Sequence, residues 1–129
     1  MVFTELLLIM KNKEYITRTS DYTLIHRKGK PWGSKFLVMK ALANSVEYSR
    51  YGFVVSKRIG KAVVRNRTKR LLREIMRQIE IKPGYDIVFI TRPGIAELGF
   101  YELKCTVMRL LSLAGLITEN NENTVLNVN

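Results

Sequence analysis

One cysteine, Cys105, and one histidine, His26, are all that 129 residues offer of two side chains much used for metal binding and nucleophilic chemistry. The lone cysteine excludes an internal disulfide and a cysteine-based zinc site. No catalytic triad, histidine metal cluster or Walker-type phosphate loop can be assembled from this inventory. Acids are scarce as well, 11 against 22 basic residues, for a net charge of +11 and a pI near 10.0. No close acidic pair falls in a loop, so general acid–base chemistry by carboxylates has no evident seat. Long apolar runs are missing: VFTELLLIM at the N-terminus is far short of the roughly 20 residues a membrane span requires. It also lacks the basic region and small-residue cleavage site of a signal peptide. Residues 1–9 are therefore expected to be an extension, residues 10–117 one domain, and the Asn-rich residues 118–129 a disordered tail. With no export or membrane signal, the cytoplasm is the expected compartment.

What is abundant is positive charge, and it is focused. Between Lys57 and Arg77 stand nine basic residues and a single acid, Glu74. At about 100° per residue, Val64, Thr68, Leu71, Leu72, Ile75 and Ile79 share one arc of a helix, and Asn66, Lys69, Arg70, Arg73 and Arg77 share the opposite arc. A solvated helix face usually alternates its signs for i,i+4 pairing, whereas like charges within one turn repel. Such a face calls for an anionic partner, either nucleic acid or an anionic membrane surface. Burial of the apolar arc under neighbouring strands is its simpler use, which argues against membrane insertion.

Along the chain, residues 10–19 read as extended. Thr19 or Ser20 can cap a short helix whose start suits the Asp21 carboxylate, and Gly29 and Pro31 end it. Residues 34–43 and 51–56 read as strands, with Phe36, Val38 and Lys40 on one face of the first and Leu37, Met39 and Ala41 on the other. Pro83 and Gly84 end the basic helix. Residues 85–91 form a nearly continuous apolar run, the pattern of an interior strand. Gly99 caps a last helix that Gly115 closes, and Cys105 in that helix reads as a small buried hydrophobe. The order predicts a two-layer α+β sandwich, a sheet with helices on one face. By the usual rule its strand–helix–strand unit, residues 51–91, would be right-handed.

The stretch SKRIGKAVVRNRTKRLLRE, residues 56–74, resembles the protein component of bacterial ribonuclease P. Arg65-Asn66-Arg67 is followed by Lys69-Arg70-Leu71 and Arg73-Glu74, and preceded by Val55-Ser56-Lys57-Arg58 and Gly60-Lys61-Ala62-Val63. Asp21-Tyr22, Phe36-Leu37-Val38, Gly84-Tyr85-Asp86 and Arg92-Pro93-Gly94 agree in order, so the resemblance covers about residues 15–115. It implies an α+β sandwich with a mixed sheet and a left-handed crossover carrying the basic helix, in place of the usual hand. It also implies an endoribonuclease that removes the 5′ leader of precursor tRNA. Catalysis would lie in an RNA subunit using magnesium, with no catalytic residue and no complete metal site in the protein.

On this resemblance Arg58, Lys61, Arg65, Asn66, Arg67, Lys69, Arg70 and Arg73 are the candidates for binding the RNA subunit. Guanidinium forks suit phosphate oxygens, and lysine supplies a mobile point charge. Asn66 can bond sugar, base or backbone, or else make only a helix-local bond. The leader-binding candidates are Tyr22, His26, Phe36, Met39, Ser56, Lys57 and Arg92. A single strand calls for aromatic platforms beside positive charge, and the resemblance puts Tyr22, His26 and Met39 at the family's platform positions. Of these only Tyr22 is a conventional ring surface; it could equally be a core aromatic. Trp32 is a further candidate surface. The expected partners are the RNA subunit and precursor tRNA, with no membrane and no obligate protein partner. The rival reading is a non-enzymatic RNA-binding module using the same helix. A helix-turn-helix protein is disfavoured because strands flank the basic helix, and an autonomous nuclease because that stretch holds one acid.

Overall fold

The computed structural model describes residues 13–117. The extension at residues 1–9 and the tail at 118–129 lie outside them. Eight elements follow in order: β1 (Lys13–Tyr15), α1 (Thr19–Lys28), β2 (Lys30–Gly33), β3 (Leu37–Ala43), β4 (Ser49–Val54), α2 (Ala62–Gln78), β5 (Tyr85–Thr91) and α3 (Phe100–Leu113). Short 3₁₀ turns stand before α2 and α3.

The apolar run of β5 sits at the middle of a five-stranded sheet of order β1-β4-β5-β3-β2. Strands β1, β4 and β5 are parallel to one another, whereas β3 runs antiparallel to both β5 and β2. The sheet is mixed, and the path β4–α2–β5 joins adjacent parallel strands, consistent with the left-handed crossover that the resemblance implies. Burial on both faces explains why β5 reads as one apolar run. Ile87 and Phe89 join a large cluster with Leu37, Met39, Tyr51, Phe53, Leu72, Ile75 and Leu103. Val88, with Ile90 packed beside it, joins a smaller cluster with Ile16 and Ile25.

The two clusters correct one feature of the expected layering. Helices α2 and α3 cover one face, as the pattern predicts, but α1 lies on the other. Only Ile25 of α1 is fully buried. So short an apolar stripe covers part of a sheet face, and the uncovered part is where the groove described below lies. Strand β2 was legible only as a helix stop, because Pro31 and Gly33 interrupt it; at a sheet edge both are tolerated. Ser49 opens β4 two residues earlier than its apolar pattern suggests. Its buried hydroxyl donates to the Lys82 carbonyl at 2.6 Å and accepts from the Tyr85 amide at 3.2 Å.

Helix α1 is tied to the sheet by charge. Arg50 grips buried Asp86 with Nε at 2.8 Å and Nη2 at 2.5 Å, and its Nη1 reaches Asp21 at 3.3 Å. Asn44 donates to the same Asp86 carboxylate at 2.9 Å. A bidentate guanidinium–carboxylate pair with its remaining lone pairs satisfied is the arrangement that makes a buried carboxylate tolerable. Hydrogen bonding to Asp86 in turn pushes the Arg50 pKa further up.

Candidate nucleic-acid interface

Helix α2 presents what its periodicity predicts. Thr68, Leu72, Ile75 and Met76 are buried, and Thr68 satisfies its hydroxyl by donating to the Val64 carbonyl at 3.0 Å. Asn66, Arg67, Arg70 and Arg77 are exposed, as are Arg58 and Lys61 ahead of the helix. Arg77 pairs with Glu74 at 3.3 Å. No ion pair within the described residues neutralises Arg58, Lys61, Arg65, Arg67, Lys69, Arg70 or Arg73.

These cations divide by environment. Arg67 and Arg70 stand free in solvent, and Asn66 makes no helix-local side-chain hydrogen bond. Arg73 is half-buried, its guanidinium 5.4 Å from the centre of the Tyr15 ring. Arg65 lies at the edge of the core arc rather than on the cationic arc. Its Nε is buried and has no hydrogen-bond partner among the described residues, which costs free energy in the isolated protein.

The second surface lies on the α1 face. A groove of about 320 Å³ is lined by Tyr22, Thr23 and His26 from α1, Val54 from β4 and Ile90 from β5. Val54 and Ile90 are register partners, so the groove has an apolar floor across two parallel strands. Val54 is 38% exposed, unusual for a strand valine and open to contact. Tyr22 is held rather than mobile. Its hydroxyl donates to the Ile16 carbonyl at 3.0 Å, and its ring rests over Gly52, where any Cβ would collide with the hydroxyl oxygen. Burial, then the neighbouring Tyr15 hydroxyl, pushes the Tyr22 pKa up to about 12. The hydroxyl end of Tyr22 packs into the fold while the residue also lines the groove.

His26 is exposed at the other end of the groove. Lys40 Nζ, from β3, donates to the His26 carbonyl at 2.9 Å and lies 3.2 Å from its Nδ1. The resemblance assigns Met39 to this surface, and that assignment is corrected. Met39 is fully buried in the large cluster, on the opposite face of the sheet. Phe36 and Trp32 are also half-buried against that cluster, not in the groove; Phe36 packs beside Gly94. Strand alternation carries the signal for Met39, because Leu37, Met39 and Ala41 share one face and Lys40 must point to the other. Gly52, Val54, Thr23 and Ile90 were also missed. Nothing in sequence spacing brings α1 over β4 and β5.

Ser56, Lys57 and Arg92 lie just beyond the paired residues Val54 and Ile90, and all three are exposed. Parallel β4 and β5 end on the same side, so these three polar groups border one end of the groove. Arg92 Nη1 donates to the Ser34 carbonyl at 3.0 Å, which fixes its direction. From Ser56 the chain turns through Lys57–Ile59 and Gly60, with φ at +150°, and enters α2. The basic helix and the groove are thus joined by one short strap.

Among the described residues no three His, Cys, Asp or Glu side chains converge to hold a metal ion, and no helix is long and apolar enough to cross a membrane. A family model described as Ribonuclease P matches residues 10–115. The ribonuclease P protein component of Dehalococcoides mccartyi strain 195 is 43% identical over 115 residues, which span 89% of this chain and 96% of that relative. The corresponding protein of Roseiflexus castenholzii is 41% identical over 111 residues, 84% of this chain and 91% of its own. The solved ribonuclease P protein from Thermotoga maritima matches with a TM-score of 0.70 at 35% identity, over 76% of this chain and 94% of the other. Motif order, mixed sheet, crossover helix and relatives agree: the chain belongs to the ribonuclease P protein family.

Proposed function

We propose that the cationic face of α2 binds the catalytic RNA of ribonuclease P while the groove beneath α1 holds the 5′ leader of precursor tRNA. The observation that carries this reading is the continuity of the two surfaces. An uncompensated basic helix suits a folded RNA, whose phosphates attract it at a salt-dependent affinity. A ring-walled groove with an apolar floor suits an unstacked single strand. The short strap between them would let one protein engage both RNAs at once, aligning the leader with the RNA active site.

In this reading Arg58, Lys61, Arg65, Arg67, Lys69, Arg70 and Arg73 meet phosphates, and Asn66 a sugar or base. Burial of Arg65 Nε without a partner among the described residues supports a role for that residue that is completed only when RNA arrives. Tyr22 and His26 face the leader bases, while Ser56, Lys57 and Arg92 meet its backbone. Bond cleavage and the magnesium it requires belong to the RNA subunit, and the protein acts by positioning. The reading further places the protein in the cytoplasm, with RNA as its obligate partner.

The test is cleavage of a 5′-labelled precursor tRNA at low magnesium by a bacterial ribonuclease P RNA, with and without this protein. The expected result is cleavage at the mature 5′ end that depends on both. RNA binding without stimulation of the cognate RNA subunit would instead favour a plain RNA-binding module.

A further inference from the structure

Building on α2 as the face that meets the RNA subunit, we propose that Tyr15 is a positioning residue for that face: its ring fixes Arg73 as a phosphate-binding fork at the edge of the sheet. The guanidinium carbon of Arg73 lies 5.4 Å from the centre of the Tyr15 ring, within the range of a cation–π contact. Among the described residues it is the only cation of α2 set over an aromatic ring. Arg67 and Arg70 reach into solvent without such support. The platform is itself held. Tyr15 pairs in register with Tyr51 of β4, and the two rings meet edge to face, with centroids 5.8 Å apart and planes at 86°. The Phe53 ring also lies 5.8 Å from that of Tyr15 and continues to Phe89 at 6.1 Å. A chain of rings thus runs from the middle strand of the sheet to its edge, and Arg73 caps the outer end.

A guanidinium needs only its face for a ring. Its N–H groups lie in the plane, and no hydrogen bond or ion pair within the described residues takes up those of Arg73. They stay available to fork onto two oxygens of one phosphate. A long side chain that stands free in solvent gives up its rotamer freedom when it meets a partner; one already rested on a rigid ring gives up less. Arg73 is therefore the pre-organised contact of α2, while Arg67 and Arg70 act as mobile charges. A contact that served only to join β1 to α2 would be met as well by an apolar side chain at residue 73. The unpaired N–H groups are what an external acceptor completes.

The experiment titrates the full chain against its cognate ribonuclease P RNA over a series of salt concentrations. Tyr15→Leu is expected to lower affinity about two- to fivefold, the equivalent of one partly exposed cation–π contact. The slope of log affinity against log salt should not change, because no charge is removed. Tyr15→Phe keeps the ring and should keep the affinity. In an Arg73→Ala background Tyr15→Leu should cost nothing further, since a positioning residue acts only through the side chain it positions; a general loosening of β1 would lower affinity in both backgrounds. Arg73→Lys leaves β1 untouched and keeps the charge, yet it should cost more than Arg67→Lys or Arg70→Lys, because a fixed fork is lost only there. No loss in Tyr15→Leu, an equal loss in Tyr15→Phe or in the Arg73→Ala background, or equal costs for the three lysine substitutions would overturn the proposal while leaving α2 as the RNA face. Unchanged affinity and salt slope in the protein carrying both Arg67→Ala and Arg70→Ala would instead overturn the α2 reading and the proposal with it.

Discussion

Arg50 and the arginines of α2 carry the same charge in opposite circumstances. Arg50 meets two carboxylates, Asp86 and Asp21, and joins three elements of the fold. Arg67 and Arg70 meet none within the described residues and project into solvent from a helix whose other face is already buried. A cation that serves the fold comes with its counter-charge supplied by the chain; one that serves a partner is left without. The contrast separates charge that stabilises from charge that recognises, and it can be broken by substitution.

The largest effect on stability is expected at Arg50. Replacing it with Met leaves the Asp86 carboxylate, only 5% exposed, without its bidentate partner. Breaking a buried pair from one side costs about 3–5 kcal/mol, and the partial exposure of Arg50 argues for the lower end. Urea unfolding of the free protein measures it, and a loss below about 1 kcal/mol would mean that Asp86 is served by other groups. Arg67→Ala with Arg70→Ala should move unfolding by no more than about 0.5 kcal/mol. The same pair should lower affinity for the RNA subunit and reduce the slope of log affinity against log salt by about 0.7–0.9 for each phosphate that is no longer neutralised. An unchanged slope would remove both residues from the interface.

How far each region was legible follows from the distance over which its pattern acts. The basic helix is a local object: its two arcs repeat every turn, so the order of residues alone assigns Leu72 and Ile75 to one side and Asn66 and Arg70 to the other. Arg65 is the exception, grouped with its neighbours in the motif yet set at the core edge by the 3.6-residue period. The interior strand β5 was equally legible, because burial on both faces writes itself as an unbroken apolar run. The groove is assembled from α1, β4 and β5, and its floor depends on the register of Val54 against Ile90. Register between strands separated by a helix leaves no trace in either strand alone. Met39 differs again: the alternation of Leu37, Met39 and Ala41 already sends it to the core, against the platform position that the resemblance implies.

Within the groove, removal of the ring should matter to one substrate and not the other. Tyr22→Ala is expected to weaken binding of precursor tRNA to the holoenzyme by about 1–3 kcal/mol, the range for one base–aromatic stack. Mature tRNA, which has no leader, should be nearly unaffected. Equal losses for both would point to a folding defect. Gly52 offers a check through the seat of the ring: a Cβ there would collide with the Tyr22 hydroxyl, so Gly52→Ala should reproduce part of the Tyr22→Ala selectivity loss at a stability cost of about 1–3 kcal/mol.

The smallest effect sharpens the contrast from the uncharged side. Tyr22 is held by a neutral hydrogen bond to the Ile16 carbonyl, and its pKa is pushed from 10.0 to about 12, chiefly by burial and then by the Tyr15 hydroxyl. In the folded protein the phenol therefore keeps its proton at pH values where the unfolded chain has lost it. Between about pH 10 and 12 the native state binds more protons than the unfolded state, so stability falls as pH rises through that window and the contribution is whole only below it. Tyr22→Phe should cost about 0.5–1.5 kcal/mol near neutral pH through the missing hydrogen bond. Its stability should then decline less steeply than wild type between about pH 10 and 12, because phenylalanine has no proton to lose. Unfolding curves of the two free proteins at about pH 8, 10 and 11.5 make the comparison, and the difference between them cancels the titration of the other tyrosines. Parallel decline would mean that Tyr22 ionises with the fold intact, and that its hydroxyl is not the anchor holding the ring over Gly52.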